Sequence, residues 1–286
     1  MTIKNPIEWS GAQLVQAVQA LGSLGRSLHH VQETLHSPAP IVRKIHVSDL
    51  SDVLAKGFDD FGAYRSDVLF LGVIYAVVGL VLARLAFGMD MLPLIFPLAS
   101  GFALLGPLAG VGLYEMSRRR EQGRQAAWSN ALDVFRAPSA GGVLILGLIL
   151  VGIFLLWQLA AWEIYRATMG PAQPASLPSF AHDVLWTNAG HALIIIGVGV
   201  GFLFAVLAMS ISLVSFPLLL DRDVGLDTAI LTSIRAVRAN PLVAALWGLI
   251  VAVGLVAGSL PLFIGLVITV PVLGHATWHL YRKIVS

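Results

Sequence analysis

The sequence predicts an all-α, polytopic membrane protein with six transmembrane helices, and three observations lead to that fold class. First, 57% of the 286 residues are hydrophobic and only 12% are charged, whereas about a quarter of the residues in a soluble domain are charged. Second, six stretches are apolar over about 20 residues, the length at which a helix crosses about 30 Å of hydrocarbon. Third, lysine and arginine are concentrated in alternate connections between these stretches, the pattern that orients membrane helices.

The six predicted spans follow one another along most of the chain. They are Asp67–Ala86, Leu92–Tyr114, Gly142–Tyr165, Ala189–Leu213, Leu242–Leu260 and Leu262–Leu280. The last two are separated by Gly258-Ser259-Leu260-Pro261. Because proline cannot continue a helix but suits the first turn of a new one, a tight hairpin is predicted there, with one long buried helix as the alternative.

Basic residues divide unequally between the two sides of the predicted membrane. Of the 18 lysines and arginines, only Arg84 and Arg166 fall on one side, and all the others fall on the side of the two termini. Since lysine and arginine are retained in the cytoplasm, both termini are predicted to be cytoplasmic.

Composition also excludes several kinds of site and partner. The chain has no cysteine, which removes disulfides, thiolate metal sites, iron–sulfur ligation and thiol catalysis. A net charge of +2 predicts no nucleic-acid partner. No cleavable signal is expected, so the first span should direct insertion. Without a P-loop, dinucleotide fingerprint, HExxH or GxSxG motif, no enzymatic activity and no cofactor are predicted.

Three connections on the predicted cytoplasmic side have the periodicity of a helix that lies on a membrane surface. Each precedes an outward span and a returning span, so the chain is interpreted as three hairpins over residues of about 48–118, 124–220 and 226–284. The apolar stripes recur at i, i+4 and i+7 and consist of Leu54, Phe58 and Phe61, of Trp128, Leu132 and Phe135, and of Ile230, Ile234 and Val237.

Residues 1–40 are predicted to form a segment separate from the membrane domain of residues 41–286. A helix from about Trp9 to His36 would carry a narrow apolar seam, because leucine recurs every seven residues at Leu14, Leu21, Leu28 and Leu35. The seam suits the protein's own domain or the membrane surface, with a coiled-coil dimer and a different partner as the alternatives. Ser37-Pro38-Ala39-Pro40 then forms a short stiff linker.

Three motifs lie near the cytoplasmic ends of the returning spans. They are Gly106-Pro107-Leu108-Ala109-Gly110-Val111-Gly112-Leu113-Tyr114-Glu115 with Ser117-Arg118-Arg119, Ser215-Phe216-Pro217-Leu218-Leu219-Leu220-Asp221-Arg222-Asp223, and Pro271-Val272-Leu273-Gly274-His275-Ala276-Thr277-Trp278-His279-Leu280-Tyr281-Arg282. From about Ile45 to the C-terminus the chain resembles a bacterial family of integral membrane proteins, domain of unknown function 2189. The family has no assigned activity, so the resemblance implies a protein of the bacterial inner membrane and carries over no functional residue.

Two histidines, His275 and His279, have the i, i+4 spacing that places two imidazoles on one helix face. Zinc would need a third ligand, and no glutamate or histidine in the sequence supplies one. A role in helix packing, or at the headgroups beside Trp278 and Tyr281, is favoured over metal ligation. Catalytic haem–copper chemistry needs several histidines at bilayer depth, which only His191 and His275 approach, whereas an accessory role in a respiratory complex stays open.

Small and polar residues in the spans bear on assembly and transport. Glycines spaced GxxxG favour helix packing within the bundle over oligomerisation, at Gly106/Gly110, Gly197/Gly201 and Gly254/Gly258. The near absence of charge at mid-depth argues against ion-coupled transport.

These observations lead to three functional hypotheses. The first is an accessory or scaffold component that binds another membrane protein, for example in a respiratory complex. The second is a small transporter or lipid-handling protein, and the third is an enzyme or haem-binding module that uses His275 and His279. The expected partners are the lipid bilayer and either a second membrane protein or another copy of this chain.

Overall fold

The computed structural model describes residues 32–63, 92–124, 137–261 and 263–286, together with the single positions Val73, Val77, Arg84 and Val134. These parts of the chain are helical, apart from connections and an isolated antiparallel bridge between Val42 and Val285. The all-α class is therefore confirmed for the described residues. The predicted N-terminal helix up to residue 31, most of the first span, and the stripe of Trp128, Leu132 and Phe135 lie outside them.

The described helices range in length from 4 to 30 residues. In chain order they are α1 (Asp49–Ala63), the 3-10 turn Leu92–Leu94, α2 (Ile95–Leu104), α3 (Gly106–Ala109), α4 (Val111–Glu121), α5 (Ala140–Met169), α6 (Leu177–Trp186), α7 (Asn188–Ser212), α8 (Ser215–Asp221), α9 (Leu226–Ala239), α10 (Pro241–Ser259) and α11 (Leu266–Ile284).

Three stretches among the described residues are long and apolar enough to cross a membrane: α5, the run Asn188–Asp221 that contains α7 and α8, and α10. They correspond to the third, fourth and fifth predicted spans. The second predicted span is divided into the 3-10 turn and α2, α3 and α4. Pro107 contributes to this division, because its ring nitrogen cannot donate a helical hydrogen bond and it lies in the first turn of α3.

The chain reverses between α10 and α11, close to the predicted break. Helix α10 ends at Ser259 and α11 begins at Leu266, so the two apolar runs are separate helices. A Cβ atom added at Gly265 would lie 2.8 Å from the Cα of Gly258, which shows how closely the two backbones approach. Gly254 faces Thr269, so the Gly254/Gly258 pair packs within the chain, as favoured from the sequence.

Helix α11 lies at the centre of the described core. It packs against α1, α4 and α10, and its Trp278, Leu280, Tyr281 and Ile284 are fully buried. Its contact with α1 is close because that helix presents Gly57 there: a Cβ at Gly57 would lie 2.8 Å from the Val272 carbonyl oxygen. The C-terminal half of the sixth predicted span is thus enclosed by protein.

The two described surface helices bury faces other than the predicted stripes. Helix α1 buries Leu50, Val53, Gly57 and Asp60, whereas Leu54 and Phe61 are half-buried and Phe58 is 56% exposed. In α9, Ile230, Ile234 and Val237 are half-buried, and the fully buried face consists of Thr228, Ala229, Thr232, Ser233 and Ala236. The inner face of α9 thus consists of small and hydroxyl side chains, and that of α1 combines two apolar residues with Gly57 and Asp60.

Residues 36–45 form an extended strap across α9 and the C-terminus. The Ser37 hydroxyl accepts a hydrogen bond from the Gly225 amide at 2.8 Å, and the Arg43 amide donates to the Ile284 carbonyl at 2.7 Å. The Ser286 amide donates to the Ile41 carbonyl at 3.1 Å. Ser37-Pro38-Ala39-Pro40, predicted as a short stiff linker, is therefore held against the membrane domain through Ser37 and through Ile41 and Arg43, which follow it.

Candidate functional site

A buried carboxylate, Asp60 in the last turn of α1, is the centre of a polar cluster. Its Oδ2 atom accepts hydrogen bonds from the Ser117 hydroxyl at 2.5 Å and from His279 Nε2 at 2.9 Å. Its Oδ1 atom is paired with the Arg120 guanidinium. The Nδ1 atom of His275 lies 2.8 Å from the Ser117 hydroxyl oxygen and 3.9 Å from Asp60 Oδ2.

Helical spacing explains why these five side chains meet. Ser117 and Arg120 are i, i+3 on α4, and His275 and His279 are i, i+4 on α11, so each pair lies on one helix face. Asp60 comes three residues after Gly57, whose missing side chain lets α1 approach α11. The cluster therefore depends on the close packing of three helices that are distant in sequence.

The environment of Asp60 favours its charged form. Burial alone would raise the pKa of this carboxyl, but hydrogen bonds from His279 and Ser117 and the charge of His279 hold the pKa below its ordinary value of 3.8. Hydrogen bonds to the ionised oxygens and a nearby cation both stabilise a carboxylate. Asp60 is thus an anion at neutral pH, and Arg120 is its counter-charge.

The accessibility of the cluster limits its chemistry. Ser117 and His275 are 1% and 0% exposed, so neither can meet a substrate in this structure. The His275 Nε2 atom is buried without a hydrogen bond of good geometry among the described residues. An open polar pocket of about 320 Å³ reaches the cluster from outside and is lined by Lys56, Asp59, Asp60, Ser117, Arg120, Glu121 and His279.

The structure brings both predicted histidines into this cluster, where they interact with Asp60 and Ser117. Within the described residues, no group of three histidine or acidic side chains has a geometry that could hold a metal ion. His275 does not lie at the headgroups, because it is enclosed by protein. His279 is half-buried at the edge of the pocket.

Sequence reasoning missed Asp60, Ser117 and Arg120. Asp60 is the last member of the i, i+4, i+7 pattern of Val53, Gly57 and Asp60, but a carboxylate in such a pattern is normally assigned to the exposed face. Ser117 and Arg120 lie in and just after the first family motif, yet nothing in that motif tells which element they contact. The sequence does not indicate which helix packs against these residues, and that information was needed to find the cluster.

A second group of polar contacts surrounds the C-terminal turns of α11. Glu121 of α4 accepts hydrogen bonds from Trp278 Nε1 and Arg282 Nε, each at 3.0 Å. Asp221 of α8 accepts one from the Tyr281 hydroxyl at 2.6 Å. Burial, followed by this contact with Asp221, raises the pKa of Tyr281. The α11 terminus is thus attached to α4 and α8.

Helix α1 is attached to the same terminus by charge. The Lys283 ammonium lies 2.9 Å from Asp49 Oδ1 and 3.0 Å from Asp52 Oδ2, and its hydrogen bonds to these carboxylates raise the pKa of Lys283. On α4, the buried Glu115 carboxylate is paired with Arg118 and Arg119. These contacts join the ends of α1, α4, α8 and α11 into one polar cap.

Long apolar helices with a polar cap at one end define an integral membrane protein, and comparison with known proteins agrees. Residues 95–221, which span α2 to α8, match the family described as "Predicted integral membrane protein (DUF2189)". The resemblance proposed from the sequence is confirmed over these residues, while the third motif, Pro271–Arg282, lies beyond them. No curated protein and no solved structure matches the chain.

Proposed function

We propose that this chain is a non-enzymatic accessory or scaffold component that binds another membrane protein, for example within a respiratory complex. The observation that carries the proposal is the exposure of α7. Only 6% of the most apolar 18-residue window in Asn188–Asp221 is buried inside the protein, compared with 33% for α5 and 22% for α10. Helix α7 therefore offers a large apolar surface within the membrane.

The exposed surface of α7 has two glycine positions, on different sides of the helix, at which the backbone of another helix could approach closely. Gly197 and Gly199 face open space, since a Cβ atom added at either would meet nothing within 4 Å, whereas Gly201 contacts Trp157 of α5. Ile195 and Phe202 on the same helix are 72% and 65% exposed. In lipid, where apolar surfaces gain little by associating, helices bind through such close backbone approach.

The polar cap supports a scaffold in preference to an enzyme. Its carboxylates, Asp60, Glu115 and Glu121, are each engaged by cations or hydrogen-bond donors from the chain itself. An acid or base of an active site must be free to exchange a proton with a substrate, whereas Asp60 and Glu121 bind donors from other helices and Glu115 is paired with two arginines of α4. The contacts give α11 and its neighbours a fixed arrangement on which a partner can be held.

We further propose that the chain crosses the bacterial inner membrane six times, as three hairpins with both termini in the cytoplasm. The distribution of basic residues supports this topology. The predicted first span is helical at Val73, Val77 and Arg84. The sixth span is proposed to be Leu262–Leu280, as predicted from the sequence, and α11 supplies its residues from Leu266 onward.

A small transporter or lipid-handling protein is the second candidate function. An apolar groove of about 290 Å³ along α10 favours it, because this groove would accept part of an acyl chain; it is lined by Ala252, Val253, Val256, Ala257 and Leu260. Transport requires a passage between the hairpins. A measured flux of lipid in vesicles containing the purified protein would support this function over the scaffold.

Co-purification with a matched pair of variants tests the scaffold. The protein is extracted from its own cells in a mild detergent, and its companions are identified by mass spectrometry. We expect one membrane protein to co-purify with wild type and with Gly152→Leu, and to be lost with Gly199→Leu. Both glycines face open space on apolar helices, so neither leucine should disturb the fold. Isolation of the wild-type protein alone and monodisperse would overturn the proposal.

A further inference from the structure

Four exposed cationic side chains lie on two segments that are joined where α9 passes into α10: Arg43 and Lys44 on the strap, and Arg235 and Arg238 on α9. We propose that they form a binding site for the phosphate headgroups of acidic phospholipids. The lipids bound there would belong to the cytoplasmic leaflet, and their binding does not require the partner proposed for α7.

The four side chains differ from the other basic residues near the polar cap. Arg120 and Arg282 are paired with carboxylates of the chain, Asp60 and Glu121 respectively. Arg43, Lys44, Arg235 and Arg238 make no side-chain ion pair or hydrogen bond with any described residue. Their charge is therefore available to an external anion.

A buried asparagine brings the two pairs together. Asn240, between α9 and α10, is 5% exposed; its Nδ2 donates to the Arg43 carbonyl at 3.0 Å and its Oδ1 accepts from the Ile45 amide at 2.8 Å. Arg238 comes two residues before Asn240. The strap is thus fixed at the end of α9, and four positive charges come from segments almost 200 residues apart in sequence.

The location of the cluster matches the surface of a membrane. Helix α10, one of the three stretches able to cross a bilayer, begins at Pro241, directly after the cluster. The outward face of α9 carries Leu231, Arg235 and Arg238 at i, i+4 and i+7, and Leu231 is 49% exposed. Such a face can insert its leucine among acyl chains while its arginines extend to the phosphates.

The chemistry of the four groups favours a phosphodiester. Arginine presents a planar fork that bonds two phosphate oxygens at once, and lysine adds a mobile point charge. Each basic residue near an acidic bilayer contributes attraction equivalent to about five-fold in affinity. An acidic phospholipid supplies both the phosphate and the surrounding negative potential, as well as the apolar layer for Leu231.

Lipid titration of the full-length protein in a neutral detergent tests the site. Phosphatidylglycerol or phosphatidylcholine is added and bound lipid is counted by native mass spectrometry. We expect phosphatidylglycerol to bind Arg238→Gln about five-fold and the double variant R235Q/R238Q about twenty-fold more weakly than wild type. Phosphatidylcholine should not distinguish the proteins. The control is Arg166→Gln, an equal charge change at the end of α5, where Arg166 pairs with Glu163.

Three outcomes would overturn the proposal. They are equal phosphatidylglycerol binding by wild type and R235Q/R238Q, an equal loss in Arg166→Gln, and complete displacement of the lipid by millimolar inorganic phosphate, which would show a site for free phosphate. Since both arginines are exposed and make no side-chain ion pair or hydrogen bond with any described residue, the variants should have unchanged thermal unfolding. The test uses purified protein alone, so its result does not depend on the scaffold partner.

Discussion

At the scale of single residues, the fold depends on a buried charge. Asp60 is 4% exposed, and an ion in such a place is tolerated only when its oxygens are hydrogen-bonded and its charge is matched. Ser117, His279 and Arg120 supply these contacts from two other helices. The packing of α1 against α4 and α11 therefore depends on the charge of Asp60.

Replacing Asp60 with asparagine should lower the free energy of unfolding by about 2 kcal/mol, because Arg120 and His279 lose their anion while Arg120 remains partly solvated. The neighbouring Asp59→Asn should change it by less than about 0.5 kcal/mol, since Asp59 is exposed. Titration with sodium dodecyl sulfate in mixed micelles measures both. Equal effects of the two substitutions would show that the cluster contributes nothing specific.

The same carboxyl predicts a pH dependence. The folded-state pKa of Asp60 lies below 3.8, so its stabilising contribution is fully present above the unfolded pKa and is lost as the pH falls through the folded pKa. Wild type and Asp60→Asn should thus differ in stability at pH 6, and the difference should shrink as the pH falls through the folded-state pKa, below 3.8. A difference that persists unchanged at low pH would contradict the assigned charge.

Residue-scale features could be predicted only in part. The pair His275 and His279 was identified because both histidines lie on one helix and their spacing is local. Their acceptor was not, because His279 and Asp60 are separated by 219 positions, and no local pattern specifies which helices meet. That Arg235 and Arg238 pair with no carboxylate in the described parts of the chain could not be predicted for the same reason.

At the scale of helices, small residues decide which faces pack. Helix α11 meets α1 at Gly57 and α10 at Gly258, where a side chain would keep the backbones apart. The apolar periodicity of α1 and α9 was visible in the sequence and predicted helices there. It did not identify their inner faces, because Gly57 and Asp60 complete the inner face of α1 and alanine, serine and threonine form that of α9, and hydropathy gives such residues little weight.

A matched pair of substitutions in α1 tests the close packing. Gly57→Ala should destabilise the protein by about 2 kcal/mol, because its Cβ would lie 2.8 Å from both the Val272 carbonyl oxygen and the Ala276 Cβ. Gly62→Ala, in the same helix but facing open space, should be neutral or stabilising by up to about 1 kcal/mol. Unfolding of both variants in mixed micelles checks this, and equal stability would contradict the α1–α11 contact.

At the scale of the whole molecule, composition and span length predicted a membrane protein, and the three membrane-length stretches and the family match agree. What the sequence could not predict is the uneven burial of these stretches. Helix α11 is enclosed by its neighbours, while α7 is open to the surroundings. The second half of α11 carries polar and charged side chains that are paired with neighbouring helices, whereas α7 is apolar along most of its length, and neither pattern specifies which helix lies against which.

The uneven burial places the two external surfaces of the molecule in different layers. The open glycines of α7 lie within the proposed membrane, and the cationic cluster beside Asn240 lies at its cytoplasmic surface. The polar cap holds the intervening helices in place. A partner helix and acidic lipids can therefore be bound at the same time without competing for residues.

Site-specific photo-crosslinking in intact cells tests the central claim, that α7 binds another membrane protein, most directly. A photoreactive amino acid is placed at position 199 or, as the control, at position 152, both open on apolar helices. We predict a discrete covalent product with one membrane protein from position 199 and none from position 152. Products with lipid alone, or the same products from both positions, would contradict the account.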